Sequence, residues 1–263
     1  MSGNEREASM SHSLELMRDQ IFVLVAKDFK LKYNSTMLGF LWSILTPVCQ
    51  SIVYYFVFRI IIRFEVDHYL LFLLSGMFLW QFFCNTVLVS GNVFWGNASL
   101  IKKTVLPRSL LVVGVMITEF LHFLLTIPIL LLIMQWDGIP YGVSFFLLPV
   151  ALLNLGLFTL GFSFLYATIN MFFRDMERIL NVILQMWMFL TPVMIPMSVI
   201  PEQYHIYFKL NPMFYMLNFW RDIFYQPQIC WMNIFLSFII GFVLFLFGFF
   251  IFTTKEPAFS EMM

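Results

Sequence analysis

The chain has 263 residues, of which 61% are hydrophobic and 11% charged. A soluble domain carries roughly 25% charged residues, so most of this chain cannot face water and lipid is its solvent. Lys plus Arg and Asp plus Glu balance at 15 each, which points away from a nucleic-acid partner.

The first 36 residues are polar and mixed in charge, and no cleavable signal is visible in them. Within them, Ser13–Tyr33 is predicted as an amphipathic helix. Leu14, Met17, Ile21, Leu24 and Val25 recur at three- and four-residue spacing, while Glu15, Arg18, Asp19 and Lys27 take the other face. Lys27, Lys30 and Lys32 crowd its end. Such a helix lies in the membrane interface with its basic residues near anionic headgroups; the alternative is a plain juxtamembrane linker.

A helix needs about 20 apolar residues to cross the hydrocarbon core. Six segments qualify: Met37–Ile62, Tyr69–Ser90, Leu110–Ile133, Ser144–Asn170, Ile179–Val199 and Trp231–Thr253. The runs are continuous rather than alternating, which favours helices over a β-barrel. The expected fold is therefore all-α, with one six-span unit over residues 37–253 and a short tail at 254–263. Cys49, Cys84 and Cys230 are scattered through apolar stretches and read as small buried hydrophobes, with no disulfide or metal pattern.

Two connecting segments carry more than linker character. In Gly91–Arg108, Asn97 or Ser99 can cap a short helix carrying Leu100, Ile101, Lys102 and Lys103, which Pro107 would stop. It reads as a docking helix for a separate motor, or as an ordinary loop with anchoring charges. Between the fifth and sixth spans, Pro192, Pro196, Pro201, Pro212 and Pro227 forbid one continuous helix. Two short helices fit, Pro201–Leu210 and Pro212–Tyr225, each with proline in its first turn. They read as the outer mouth of a pathway, or as an amphipathic external cap.

Charge orients the bundle. One side carries Arg6, Arg18, Lys27, Lys30, Lys32, Lys102, Lys103, Arg108, Arg174, Arg178 and Lys255; the other carries Arg59, Arg63, Lys209 and Arg221. The positive-inside rule makes the first side cytoplasmic, with both termini inside. On that orientation Asn97-Ala98-Ser99 is not a glycosylation acceptor.

Within the spans, Glu119 and His122 share a helix face three residues apart. They form either a polar gate or a neutral pair that ties helices together. Asn154, Asn181 and Gln185 are polar but do not titrate, which weakens a proton-relay reading. Aromatic residues are 19% of the chain. Flat rings offer weak, repeated contact to the C–H faces of sugars, as a sliding polymer needs. Tyr54, Tyr55, Phe58, Trp187 and Phe189 are the candidates to line such a path.

Ordered motifs resemble one family. They are Lys27-Asp28-Phe29-Lys30-Leu31-Lys32-Tyr33, then Ser35–Ser43 with Pro47, the loop IKKTVLPR, NMFFRD at Asn170–Asp175, Thr191-Pro192-Val193, Ile200-Pro201-Glu202 and Asn211-Pro212. Together, over about residues 14–255, they are similar to ABC-2 type export permeases. The pattern is nearest to the permeases of lipopolysaccharide O-antigen exporters, with capsule and teichoic acid exporters as relatives.

The resemblance implies a homodimer of permeases in the bacterial inner membrane, joined by two copies of a separate ABC ATPase that holds ATP and Mg. The chain itself would bind no cofactor and no metal, and it lacks the GxxxxGK[ST] phosphate loop. The resemblance further implies that the N-terminal helix and Ser99–Lys103 contact the ATPase. Pro201, Tyr204, Pro212 and Tyr215 would belong to the periplasmic gate. The cargo would be an undecaprenyl-pyrophosphate-linked polysaccharide, with Lys27, Lys30 and Lys32 receiving the pyrophosphate. Three rivals stand beside it. One is a small-molecule exporter of the same superfamily. A second is a proton-coupled carrier resting on Glu119 and His122. The third is a membrane glycosyltransferase, for which Glu65 and Asp67 are the nearest acidic pair.

Overall fold

The structure is a computed structural model that describes residues 18–30, 41–103, 107–173, 175–224 and 229–259. Among the described residues it is helical, with no strand. Helix α1 covers residues 18–30, and α2 covers Leu41–Tyr55 and runs into a π-helical turn, Phe56–Ile61. Then follow α3 (Tyr69–Gly96), α4 (Ala98–Lys103), α5 (Ser109–Leu124) and α6 (Ile127–Trp136). A 3-10 turn, Val143–Leu147, leads into α7 (Leu148–Phe172). The chain continues with α8 (Met176–Phe189), α9 (His205–Lys209), α10 (Pro212–Phe224) and α11 (Trp231–Lys255).

Among the described residues, five stretches are long and apolar enough to cross a membrane: Ile44–Ile61, Tyr69–Gly96, Ser109–Trp136, Val143–Phe172 and Trp231–Ala258. The protein is a multi-pass membrane protein. Helix α3 forms its axis. Its 28 residues extend about 42 Å, and α2, α5 and α7 pack along it. Leu71, Leu73, Phe83 and Phe94 on α3 are fully enclosed. The Ser109–Trp136 crossing bends at Leu125–Thr126, just before Pro128.

The predicted span Ile179–Val199 differs most from its expected form. The helix ends at Phe189, after 14 residues or about 21 Å. Pro192 is the reason, since its ring removes a helical donor and disfavours helical geometry at Thr191. The chain beyond is a turn at 190–195, yet it keeps moving along α3. Glu177, at the start of α8, lines one cavity with Gly96 and Asn97 at the end of α3. The Met194 carbonyl, at the far end, accepts a hydrogen bond of 2.9 Å from the Tyr69 hydroxyl at the start of α3.

Irregular backbone at that depth survives only where protein groups satisfy it. Here three side chains do so, the first being the Tyr69 hydroxyl on the Met194 carbonyl. Asn211 donates to the Leu190 carbonyl (3.0 Å) and to the Thr191 hydroxyl (2.8 Å), and accepts from the Trp187 indole (2.9 Å). Arg221, only 5% exposed, donates to the carbonyls of Pro192, Val193 and Phe72. Its guanidinium also lies over the Phe72 ring, 3.6 Å from the centroid. Gly76 makes room for it, since a Cβ there would sit 2.4 Å from Arg221 Nη2.

Helices α7 and α11 cross at two glycines. A Cβ on Gly248 would stand 2.2 Å from the Gly161 carbonyl oxygen. Small residues let membrane helices approach this closely, and one polar bond, Asn154 to Ser237 at 2.9 Å, adds to the contact. Gly248→Leu is expected to force the helices apart and cost about 1–3 kcal/mol, read as a lower thermal midpoint of the purified protein in detergent.

Candidate functional site

Three cavities follow one another along α3. At its start, about 500 Å³ is enclosed by residues that include Tyr55, Arg59, His68, Tyr69, Trp136 and Asp137. His68 Nδ1 lies 3.3 Å from an Asp137 carboxylate oxygen there. At the opposite end, about 570 Å³ lies beneath α1, lined in part by Lys27, Asp28, Asn92, Asn97, Glu119 and Glu177. Between them runs a groove of about 550 Å³, walled by α2, α3 and α8.

The groove mixes two side-chain chemistries. Gln50, Gln81, Asn85, Asn181 and Gln185 supply amides, and Tyr54, Trp80 and Phe189 supply rings. Each amide can both donate and accept. Helical periodicity explains the arrangement: Gln81 and Asn85 are four apart on α3, and Asn181 and Gln185 are four apart on α8, so each pair shares a face. Leu88 lines both the groove and the cavity beneath α1. A small gap of about 20 Å³ also joins them, with Gln81 and Asn85 at one side and Glu119 and His122 at the other.

The predicted ring residues divide. Tyr54 and Phe189 line the groove, whereas Tyr55 lines the cavity at the start of α3. Phe58 stacks on Phe64 with centroids 5.4 Å apart. Trp187 turns inward, edge-on to Trp80 and Phe83 at 5.9 and 5.5 Å. Sequence reasoning singled out Asn181 and Gln185 only as polar groups that do not titrate, and it missed Gln50, Gln81 and Asn85. The four-residue spacing of amides inside an apolar run was the signal that would have found Gln81 and Asn85; Gln50 has no amide four residues away.

Glu119 and His122 are each 5% exposed and 3.6 Å apart, between the gap and the core. The His122 ring meets Phe29 of α1 at 4.8 Å. Leu24 anchors α1 to the Phe94, Val112, Phe164 and Phe252 cluster, and Lys27 Nζ donates to Asn97 Oδ1. Lys30 is exposed on α1, and Lys32 lies outside the described residues. Ser99, Leu100, Ile101, Lys102 and Lys103 are on α4, directly after Asn97. Pro201 precedes a 3-10 turn that ends at Tyr204, and Tyr204 is half exposed. Pro212 opens α10, on which Tyr215 packs edge-on to Phe214.

Membrane-crossing helices packed around α3, with a groove of amides and rings between α2, α3 and α8, fit a membrane transport subunit. The chain belongs to the ABC-2 type transporter family, whose model matches residues 19–225. It is 33% identical over 255 residues to the O-antigen export system permease protein RfbA of Klebsiella pneumoniae, covering 97% of this chain and 98% of that one. A protein of the same name from Myxococcus xanthus is 29% identical over 218 residues, covering 81% and 82%. The polysialic acid transport protein KpsM of Escherichia coli is 21% identical over 213 residues, covering 79% and 82%.

Proposed function

We propose that this chain is the permease subunit of an ATP-driven exporter that carries undecaprenyl-pyrophosphate-linked O-antigen polysaccharide across the inner membrane to the periplasm. The groove carries this reading. Amides that donate and accept suit sugar hydroxyls, and rings suit sugar C–H faces without gripping any one unit. Near-full-length similarity to proteins named as O-antigen export permeases supports the cargo class.

Two copies of the permease meet so that their grooves face one another, and two ABC ATPase subunits drive them with ATP and Mg. The ATPases sit beneath α1 and α4, where Ser99–Lys103 transmits their closure. The cytoplasm is on that side, with both termini. Helix α8 and the turn after it make a fifth crossing, which brings the crossings to six. Pro201, Tyr204, Pro212 and Tyr215 border the periplasmic exit. Lys27, Lys30 and Lys32 receive the pyrophosphate at headgroup depth.

Deleting the gene is expected to strip O-antigen from the cell surface while undecaprenyl-linked polymer accumulates inside. Replacing Lys27, Lys30 and Lys32 together with glutamine is expected to do the same while the ATPase still co-purifies. Surface polymer unchanged by the deletion overturns the proposal, and export by the triple variant overturns the lysine assignment alone.

A further inference from the structure

Charge is distributed along the three cavities in a way that export by itself does not require. Arg59, His68 and Asp137 stand at the start of α3. Lys27, Asp28, Glu119 and Glu177 stand at its end. The groove between them is lined, among the described residues, by no Lys, Arg, His, Asp or Glu.

We propose that this groove selects uncharged glycan, with Gln50, Gln81, Asn85, Asn181 and Gln185 pairing with sugar hydroxyls while polymers that carry a carboxylate in each repeat are turned away. The inference rests on the export reading and deepens it by naming the cargo's charge class.

A carboxylate moved from water into such a passage loses hydration and meets no cation in return. Hydroxyls lose hydration too, but each amide replaces a donor and an acceptor. In a twofold assembly the second copy presents the same neutral wall. The penalty applies to every charged repeat inside the groove at once and is renewed at each step of the polymer. The pyrophosphate crosses once per chain, so its cost is not renewed. At the α1 end of the groove Lys27 stands with Asp28, Glu119 and Glu177, and Arg178 follows Glu177 on α8, so the charges lie at that end and not along the groove itself. A groove for an anionic polymer needs a cation among the residues that line it, and those that α8 supplies, Asn181, Leu184, Gln185, Met188 and Phe189, include none.

The test uses the complete transporter, permease with its ATPase, in inverted membrane vesicles given ATP. The probes are a neutral hexose polymer on undecaprenyl pyrophosphate and the same polymer with its primary hydroxyls oxidised to carboxylates. The neutral probe is expected to enter the lumen at least tenfold faster. Gln185 is exposed on α8, so its charge can be changed without repacking. Gln185→Lys is expected to narrow the ratio at least threefold, and Gln185→Glu to widen it. A loss of folding would not move the two variants in opposite directions. Equal rates for the two probes, or a faster oxidised probe, overturn the selectivity and leave export standing. Entry of neither probe overturns the export reading and the selectivity with it.

Discussion

Replacing Arg221 by methionine is expected to destabilise the protein by about 3 kcal/mol, through loss of hydrogen bonds to carbonyls that water cannot reach. The Pro192 and Val193 carbonyls belong to a non-helical turn, and Arg221 is a donor to both. The Phe72 carbonyl keeps a second donor, the Ser75 hydroxyl at 3.1 Å, so it suffers less. The stacking of the guanidinium on the Phe72 ring goes as well, worth about 1–2 kcal/mol when desolvated. Methionine fills most of the volume, so the loss reflects hydrogen bonding more than a cavity. Lysine keeps the charge but not the planar fork, and is expected to recover only part of the difference. Thermal midpoints in detergent for the wild type and the two variants measure this. A methionine variant as stable as the wild type would mean that the 190–195 turn is held by something other than Arg221.

The same residue shows where sequence reading stops. Five of the six predicted segments were legible because each holds a long, continuous apolar run. The predicted start at Tyr69 is where α3 begins, although that helix continues six residues past the predicted Ser90 to Gly96. The fifth segment failed in its length. Residues 190–199 stay as apolar as the helix before them, and hydropathy does not distinguish a helix from a turn whose carbonyls are served by distant side chains. Those side chains, Asn211 and Arg221, lie 20 and 28 positions away from Thr191 and Val193. In the sequence, Arg221 counts as one of the few charges on the outer side. In the fold it is buried, and its adjacent Asp222 turns to the Cys230 amide at 3.4 Å. The groove was half legible for a related reason. Aromatic residues are so frequent here that nothing local separates Tyr54, which faces the groove, from Trp187, which faces the core. Amides are rare in the spans, and their spacing was the better guide.

Blocking the groove is expected to abolish export without unfolding the protein. Asn181 and Gln185 are both exposed and project from one face of α8, where they line the groove with Tyr54 and Trp80. Asn181→Trp with Gln185→Trp places two indoles into a space of about 550 Å³. The replaced side chains do little to hold the fold: Asn181 donates to the Glu177 carbonyl in its own helix, at 2.8 Å. Exposed substitutions of this kind usually change stability by only about 0.5 kcal/mol. Surface O-antigen is expected to fall at least tenfold, while the ATPase still binds and hydrolyses ATP. Ile183→Trp is the matched control, because residue 183 lies between them in sequence and points to the opposite side of α8. An indole there is expected to leave export intact, since Ile183 is 49% exposed and does not line the groove. If the double variant exports normally, the polymer passes elsewhere and the amides serve another purpose. If the control fails alongside it, the exposed surface of α8 is a packing face, and loss of assembly explains both results.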